Sequence, residues 1–307
     1  MKRFLVLLLC WLSVSAVVPS SAQKRLRIWG GLERHDADEA LLTSYLVDSS
    51  RVSVIVCPGG SYYWVDGNAE NRQVARWLNR NGISAFVLDY RTAGVWSFVT
   101  HDRLIKRGQR HPDMICDLQR AICLVRDSRT QFGIDTDVLG VMGFSAGGHL
   151  VMMSACYSET NFMEKEFGVE TSQNLSPDFV VSLYPVVTMK PPYVHQRSRR
   201  GLLGDWHTAS RRMRDSLSLE KHVPADCPPV FLANCVDDPL VDYHNSVLLD
   251  QALTQADVVH VYHQYLTGGH GFGASTVEGS RESQTWMATF MQWFNQRWPQ
   301  YAVPNVK

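Results

Sequence analysis

Six runs rich in Val, Ile, Leu and Phe recur along this chain, and they constrain its fold more than any other feature. They read VSVIVC, ISAFVLDY, VLGVMGF, DFVVSLYPVV, PPVFLANC and VVHVYHQYL, each bounded by Gly, Pro, Asn or Asp. Stretches of helical period stand between them: Asn68 to Asn81, Pro112 to Phe132, Ala146 onward, Asn245 to Gln255, and Ser283 to Trp298. A continuous apolar run marks a strand covered on both faces, and a helix between two such strands makes the crossover that parallel pairing requires. Ile115, Leu118, Ile122 and Val125 repeat at helical spacing and are expected to face the sheet. The pattern predicts an α/β fold, an open and mostly parallel sheet with helices on both faces.

Two stretches break the rhythm. Residues 91–112 are longer than an ordinary strand-to-helix connection, and residues 187–228 carry PPYVHQRSRR and a helix expected near Ser210 to Leu217. Long excursions of this kind inside a compact domain act as lids or binding loops. The second is a candidate cap or lid over about residues 187–228.

The amino terminus is read differently. Lys2 and Arg3 precede an apolar run that ends in small residues, including Ser20 and Ala22, so residues 1–22 are expected to be a secretory signal peptide. The apolar run is short for a membrane span. A secreted or periplasmic location follows as an expectation, with residues 23–307 forming one α/β domain. Of seven cysteines, six lie after the leader; Cys57, Cys156 and Cys235 sit in apolar surroundings, and no disulfide is expected.

Charge narrows the partners. Lys plus Arg and Asp plus Glu number 30 each, with no basic block, so neither a nucleic-acid backbone nor an anionic membrane surface is favoured. His260 and His263 are three apart on a strand and so face opposite sides, which argues against a metal pair. No cofactor or metal is expected, and the oligomeric state is open.

The chemistry centres on Gly143-Phe144-Ser145-Ala146-Gly147, a G-x-S-x-G between a strand and a helix. A nucleophile on so sharp a turn needs small neighbours, and the two glycines supply them. A serine hydroxyl also needs a base, and the base needs an orienting carboxylate. Asp237-Asp238 follows the strand PPVFLANC, and His270 follows VVHVYHQYL with glycine on both sides. Both fall at carboxyl ends of strands, where open parallel sheets bind ligands. Asp238 is preferred as the carboxylate, by its D-x-x-V spacing to Val241, and Asp237 is expected to shape the turn. His149, one helical turn past Ser145, is expected to pack inside the fold.

An attacked ester carbonyl becomes an oxyanion that fixed donors must meet. One candidate is the amide of Ala146. The others are Gly60 and Ser61, in the loop Pro58-Gly59-Gly60-Ser61-Tyr62 after the first run. Tyr62, Tyr63, Trp64, Trp96 and Trp206 are loop aromatics within reach of such a site, and Tyr62, Trp64 and Trp206 are the substrate-binding candidates.

Taken together, CPGGSY, LDYRTAG, HPDMICDLQRAICLVR, FGIDTDVLGVMGFSAGGHL, LYPVV, RGLLGD, CVDDPLVDYHNS and GGHGFG resemble the α/β-hydrolases of the acetylxylan-esterase-like group. That group is related to the hormone-sensitive-lipase-like carboxylesterases. The resemblance implies Ser145 as nucleophile with Asp238 and His270 as partners, and a cap after DFVVSLYP. It also implies hydrolysis of short acyl esters, often acetyl groups on plant polysaccharide or oligosaccharide. One departure stands out: the lipase-like relatives carry His-Gly-Gly-Gly at the oxyanion loop, where this chain has Pro58-Gly59-Gly60-Ser61. A serine peptidase of the prolyl-oligopeptidase type uses the same residue order, but such enzymes usually carry a large amino-terminal propeller. A non-catalytic carbohydrate binder would have no need of Ser145, Asp238 and His270 together.

Overall fold

The computed structural model describes residues 23–30, 40–67, 69–100, 109–204, 210–275 and 277–302. The expected leader and Trp206 lie outside them. Eight strands form one sheet: β1 Arg25–Arg27, β2 Leu41–Tyr45, β3 Val52–Cys57, β4 Ser84–Asp89, β5 Val138–Phe144, β6 Phe179–Leu183, β7 Val230–Cys235 and β8 His260–Tyr265. Their spatial order is β1-β2-β4-β3-β5-β6-β7-β8. β1 and β2 pair antiparallel, as do β2 and β4, and every later pairing is parallel.

Among the described residues the helices are α1 Arg72–Arg80, α2 Gly94–Thr100, α3 Asp113–Arg126, α4 Ser128–Phe132, α5 Ala146–Cys156, α6 Phe162–Phe167, α7 Gln196–Leu203, α8 Arg211–Ser216, α9 His244–Gln255 and α10 Trp286–Arg297. Side chains alternate across a strand, so a strand covered on both faces must be apolar at every position. In β3, Val54 and Val56 join one core with Val74 and Leu78 of α1 and Phe290 and Phe294 of α10. Ile55 and Cys57 turn the other way, into a core with Leu118 of α3, Leu150 of α5 and Leu249 of α9. All six residues of β3 are buried, and so are all seven of β5. The covered strands are those the apolar runs predict, except that β8, from the run VVHVYHQYL, is buried only at Tyr265.

Ile115, Leu118, Ile122 and Val125 are all fully buried on α3. The single helix expected over Pro112 to Phe132 is two, because the chain breaks at Asp127 before α4. The stretch 91–112 contains α2, and the stretch 187–228 contains α7 and α8. All six cysteines after the leader are buried and unbridged.

One polar contact crosses the core. Arg91, just past β4, and Asp117 of α3 are both wholly inaccessible and pair at 2.7 Å. Asp117 also accepts from the Arg91 amide at 2.8 Å and from Trp29 Nε1 at 2.6 Å. The pair fixes α3 against the strand edge near the oxyanion-loop side of the sheet.

Candidate active site

The parallel strands β3, β5, β6, β7 and β8 end together, and the chemistry-bearing loops leave from those ends. Ser145 joins β5 to α5 with φ of 55° and ψ of −117°. A side chain in that region is strained, and the neighbours must yield space. A Cβ on Gly143 would lie 2.1 Å from the Gly147 carbonyl oxygen, and one on Gly147 would lie 2.0 Å from that of Cys57. Only glycine fits at either place. The turn is pinned by the Ser145 amide, which donates to the Leu183 carbonyl at 2.9 Å.

His270 reaches the serine from the loop after β8. Its Nε2 accepts from Ser145 Oγ at 2.9 Å, and its Nδ1–H donates to Asp238 Oδ2 at 2.6 Å. Asp238 holds its second oxygen, Oδ1, on the amides of Leu240 and Val241 at 2.8 and 2.9 Å. Both carboxylate oxygens are thereby fixed, and the imidazole is held in the tautomer that leaves Nε2 free to accept. Asp237 accepts from the amides of Gly268 and Gly269, so it ties the β7 loop to the β8 loop and makes no bond to the imidazole. The two aspartates thus have different partners, Asp238 the imidazole and Asp237 the Gly268 and Gly269 amides.

His149 stands apart from this group. It is fully buried, donates from Nε2 to the Leu217 carbonyl at 2.9 Å and accepts at Nδ1 from the Tyr62 hydroxyl at 2.8 Å. Burial pulls its pKa down to about 4, so the ring is neutral at ordinary pH.

The β3 loop supplies the remaining pieces. Gly60, Ser61 and Tyr62 take φ values of 123°, 55° and 63°, and Tyr90 OH donates to the Pro58 carbonyl at 2.7 Å. Among the described residues the amides of Gly60, Ser61 and Ala146 have no hydrogen-bond partner, whereas Gly59 N–H is already committed to Glu70 Oε2 at 2.7 Å. Free amides on both sides of Ser145 are what an oxyanion requires, and the start of α5 adds its positive dipole end.

One aromatic expectation needs correction. Tyr62 is fully buried, its hydroxyl engaged by His149, so it presents no face to a ligand. Trp64 is partly buried, with Nε1 bonded to Asp66 at 2.9 Å and its ring edge-on to Phe98. Trp96 is 72% exposed on α2. Two residues not singled out from sequence stand beside the site: Glu70 and Tyr184, whose side chains meet at 2.8 Å. Tyr184 stood within the quoted LYPVV, but Glu70 occupies a polar connection with no pattern to mark it. Among the described residues no three His, Cys, Asp or Glu side chains are grouped to hold a metal ion, and no helix is long and apolar enough to cross a membrane.

Sheet order and the serine–histidine–aspartate geometry define an α/β-hydrolase fold of the carboxylesterase kind. Residues 45–253 match the family described as BD-FAE, and the chain belongs to that family. It is 28% identical over 249 residues to an acetylxylan esterase of Xylanibacter ruminicola, an alignment covering 80% of this chain and 46% of the relative. It is 29% identical over 232 residues to endo-1,4-beta-xylanase B of Butyrivibrio fibrisolvens, covering 75% of this chain and 34% of that one. The chain therefore spans less than half the length of these two relatives. Among solved structures, an acetyl ester-xyloside bifunctional hydrolase from Caldicellulosiruptor lactoaceticus superposes with a TM-score of 0.73 at 30% identity, covering 92% of this chain and 98% of that one. The fold is shared also with the carboxylesterase Cest-2923 from Lactobacillus plantarum, TM-score 0.69 at 20% identity, covering 92% and 98%.

Proposed function

We propose that the protein is a serine carboxylester hydrolase that removes short acyl groups, acetyl foremost, from carbohydrate esters such as acetylated xylan or xylo-oligosaccharides. The observation that carries this reading is the continuous relay from Ser145 Oγ through His270 to Asp238, at 2.9 and 2.6 Å. In the proposed reaction His270 Nε2 takes the hydroxyl proton as Ser145 Oγ attacks the ester carbonyl. Asp238 stabilises the imidazolium, and the amides of Gly60, Ser61 and Ala146 receive the oxyanion. The imidazolium then protonates the departing sugar alcohol. Water, activated by the same ring, releases the acid from the acyl-enzyme.

The substrate class is supported by the acetyl ester-xyloside hydrolase and the acetylxylan esterase to which the chain is similar. No cofactor is required for these steps. The leader reading adds export, with the mature chain starting at Gln23; an intact-mass measurement on exported protein showing residues 1–22 retained would refute it.

The test of the function compares acetate release from acetylated xylan with cleavage of acetyl, butyryl and feruloyl esters, in the wild type and in Ser145→Ala. Acetyl esters should turn over fastest, and the variant should lose about 10⁶-fold in kcat. Undiminished turnover by Ser145→Ala would remove Ser145 from the chemistry, and a preference for feruloyl esters would move the substrate class.

A further inference from the structure

Glu70 is only 5% exposed, yet it lies between the loops that carry the chemistry. Its Oε2 accepts from the Gly59 amide of the oxyanion loop at 2.7 Å, and its Oε1 accepts from the Tyr184 hydroxyl at 2.8 Å. The same hydroxyl accepts from the Gly273 amide at 3.1 Å, in the loop that carries His270. Next door, the Ala69 carbonyl accepts from the Ala274 amide at 3.0 Å, and a Cβ on Gly273 would come within 2.6 Å of that carbonyl oxygen. The Tyr184 ring stands edge-on to the His270 imidazole, centroids 4.8 Å apart, and to Phe272 at 4.5 Å. Tyr184 itself holds φ of 37°, a strained value for a tyrosine.

We propose that Glu70 is a positioning residue: through Gly59 and Tyr184 it holds the oxyanion loop and the His270 imidazole in mutual register, and its negative charge favours the imidazolium formed during acyl transfer. The inference rests on the serine-hydrolase reading given above. Two features separate it from mere loop packing. First, the Gly59 amide donates to one carboxylate oxygen, and the Tyr184 hydroxyl, which already accepts from Gly273, is left to donate to the other, so both oxygens are placed to accept. Second, among the described residues no lysine or arginine forms an ion pair with it, although an unpaired buried charge is costly. A neutral glutamine would tie the same loops without that penalty, so the charge itself has a use.

The charge is offset by the Gly59 amide, the Tyr184 hydroxyl and the nearby His270, while burial, the largest effect, and Asp66 push the carboxyl pKa upward. Tyr90 faces it from the end of β4. On the other side of the imidazole stand Asp238 and His195 of the segment before α7. Because His270 is neutral before attack and cationic during it, Glu70 acts more strongly on the transition state than on bound substrate. The effect belongs in kcat.

The experiment measures acetyl-ester kinetics across pH for wild type, Glu70→Gln, Tyr184→Phe and Ser145→Ala, with melting temperatures alongside. Glu70→Gln should lower kcat by about 10- to 100-fold with KM within about twofold. Its acid limb in kcat/KM should move to lower pH, because the imidazolium has lost a neighbouring anion. Tyr184→Phe, which keeps the ring on His270 and cuts the link to Glu70, should also lower kcat at nearly constant KM; it decides the matter should Glu70→Gln not fold. Wild-type kcat in either variant overturns the proposal. A fall in kcat that follows the melting temperature with an unmoved acid limb also overturns it, leaving Glu70 a structural tie. A wild type without esterase activity sinks the parent reading instead, whereas an active wild type, a dead Ser145→Ala and an indifferent Glu70→Gln sink this inference alone.

Discussion

Asp238 spends both of its oxygens, one on the Leu240 and Val241 amides and one on His270 Nδ1, and this division makes its replacement informative. In Asp238→Asn the carbonyl oxygen would stay on the two amides, and the NH2 group would face the imidazole. Nδ1 would then have to accept, the proton would move to Nε2, and the ring could no longer take a proton from Ser145. A fall of about 10⁴-fold in kcat is expected with the fold intact, measured on p-nitrophenyl acetate; a fall under tenfold would count against the assigned tautomer. The relay was legible in the sequence because each member follows a strand that announces itself by composition. Tyr62 was not. A loop aromatic advertises its type but not its direction, and here the left-handed backbone at Ser61 and Tyr62 turns the ring inward to His149. Glu70 was hidden for a related reason: its importance comes from Gly59, Tyr184 and His270, which only the folded chain brings near.

Elements were readable where the apolar run is long, which includes the partly exposed β8, and hard to read where the strand is short and one face is wet. β3 through β7 present nearly unbroken apolar runs, but β1 has no buried position, β2 mixes partly exposed and buried ones, and both are short, so nothing in their sequence distinguishes them from loops. α7 escaped notice because QRSRRGLL buries only Ser198, Gly201, Leu202 and Leu203, too few apolar positions for a helical stripe. The junction of β4 with α3 depends on a charge pair that apolar periodicity ignores. Asp117→Ala would remove the fully buried carboxylate from Arg91, leaving the partly exposed Asp113 at 3.2 Å among the described residues, and would strip Trp29 Nε1 and the Arg91 amide of their acceptor. Removing one member of a buried pair costs about 3–5 kcal/mol. Urea unfolding of the variant should show a loss in that range, and a loss below about 1 kcal/mol would mean that Asp113 and relaxation make good the damage.

Across the whole molecule, a second buried line besides the one through Glu70 joins the oxyanion loop to the segment between β6 and β7: Tyr62 hydroxyl, His149 ring, Leu217 carbonyl. The line requires a neutral imidazole, since Nδ1 must accept while Nε2 donates. Burial accordingly holds the His149 pKa at about 4 against an ordinary value of 6.5, and His111 is lowered to about 4 by the same cause. Between those pH values the unfolded chain binds protons that the folded chain refuses, so this contribution to stability is complete above about pH 6.5 and is lost as pH falls toward 4. Each such ring is worth up to roughly 3 kcal/mol over the interval. The carboxyls of Glu70 and Asp117 act in the opposite sense, because burial raises them and the folded state then binds protons more readily. Comparing variants isolates the histidine. His149→Gln can still donate to Leu217 and cannot titrate, so its urea midpoint should fall less steeply than that of the wild type between pH 6.5 and 4, even from a lower starting stability. Parallel slopes in the two proteins would show that acid unfolding is driven from elsewhere in the fold and that His149 does not couple protonation to the oxyanion loop.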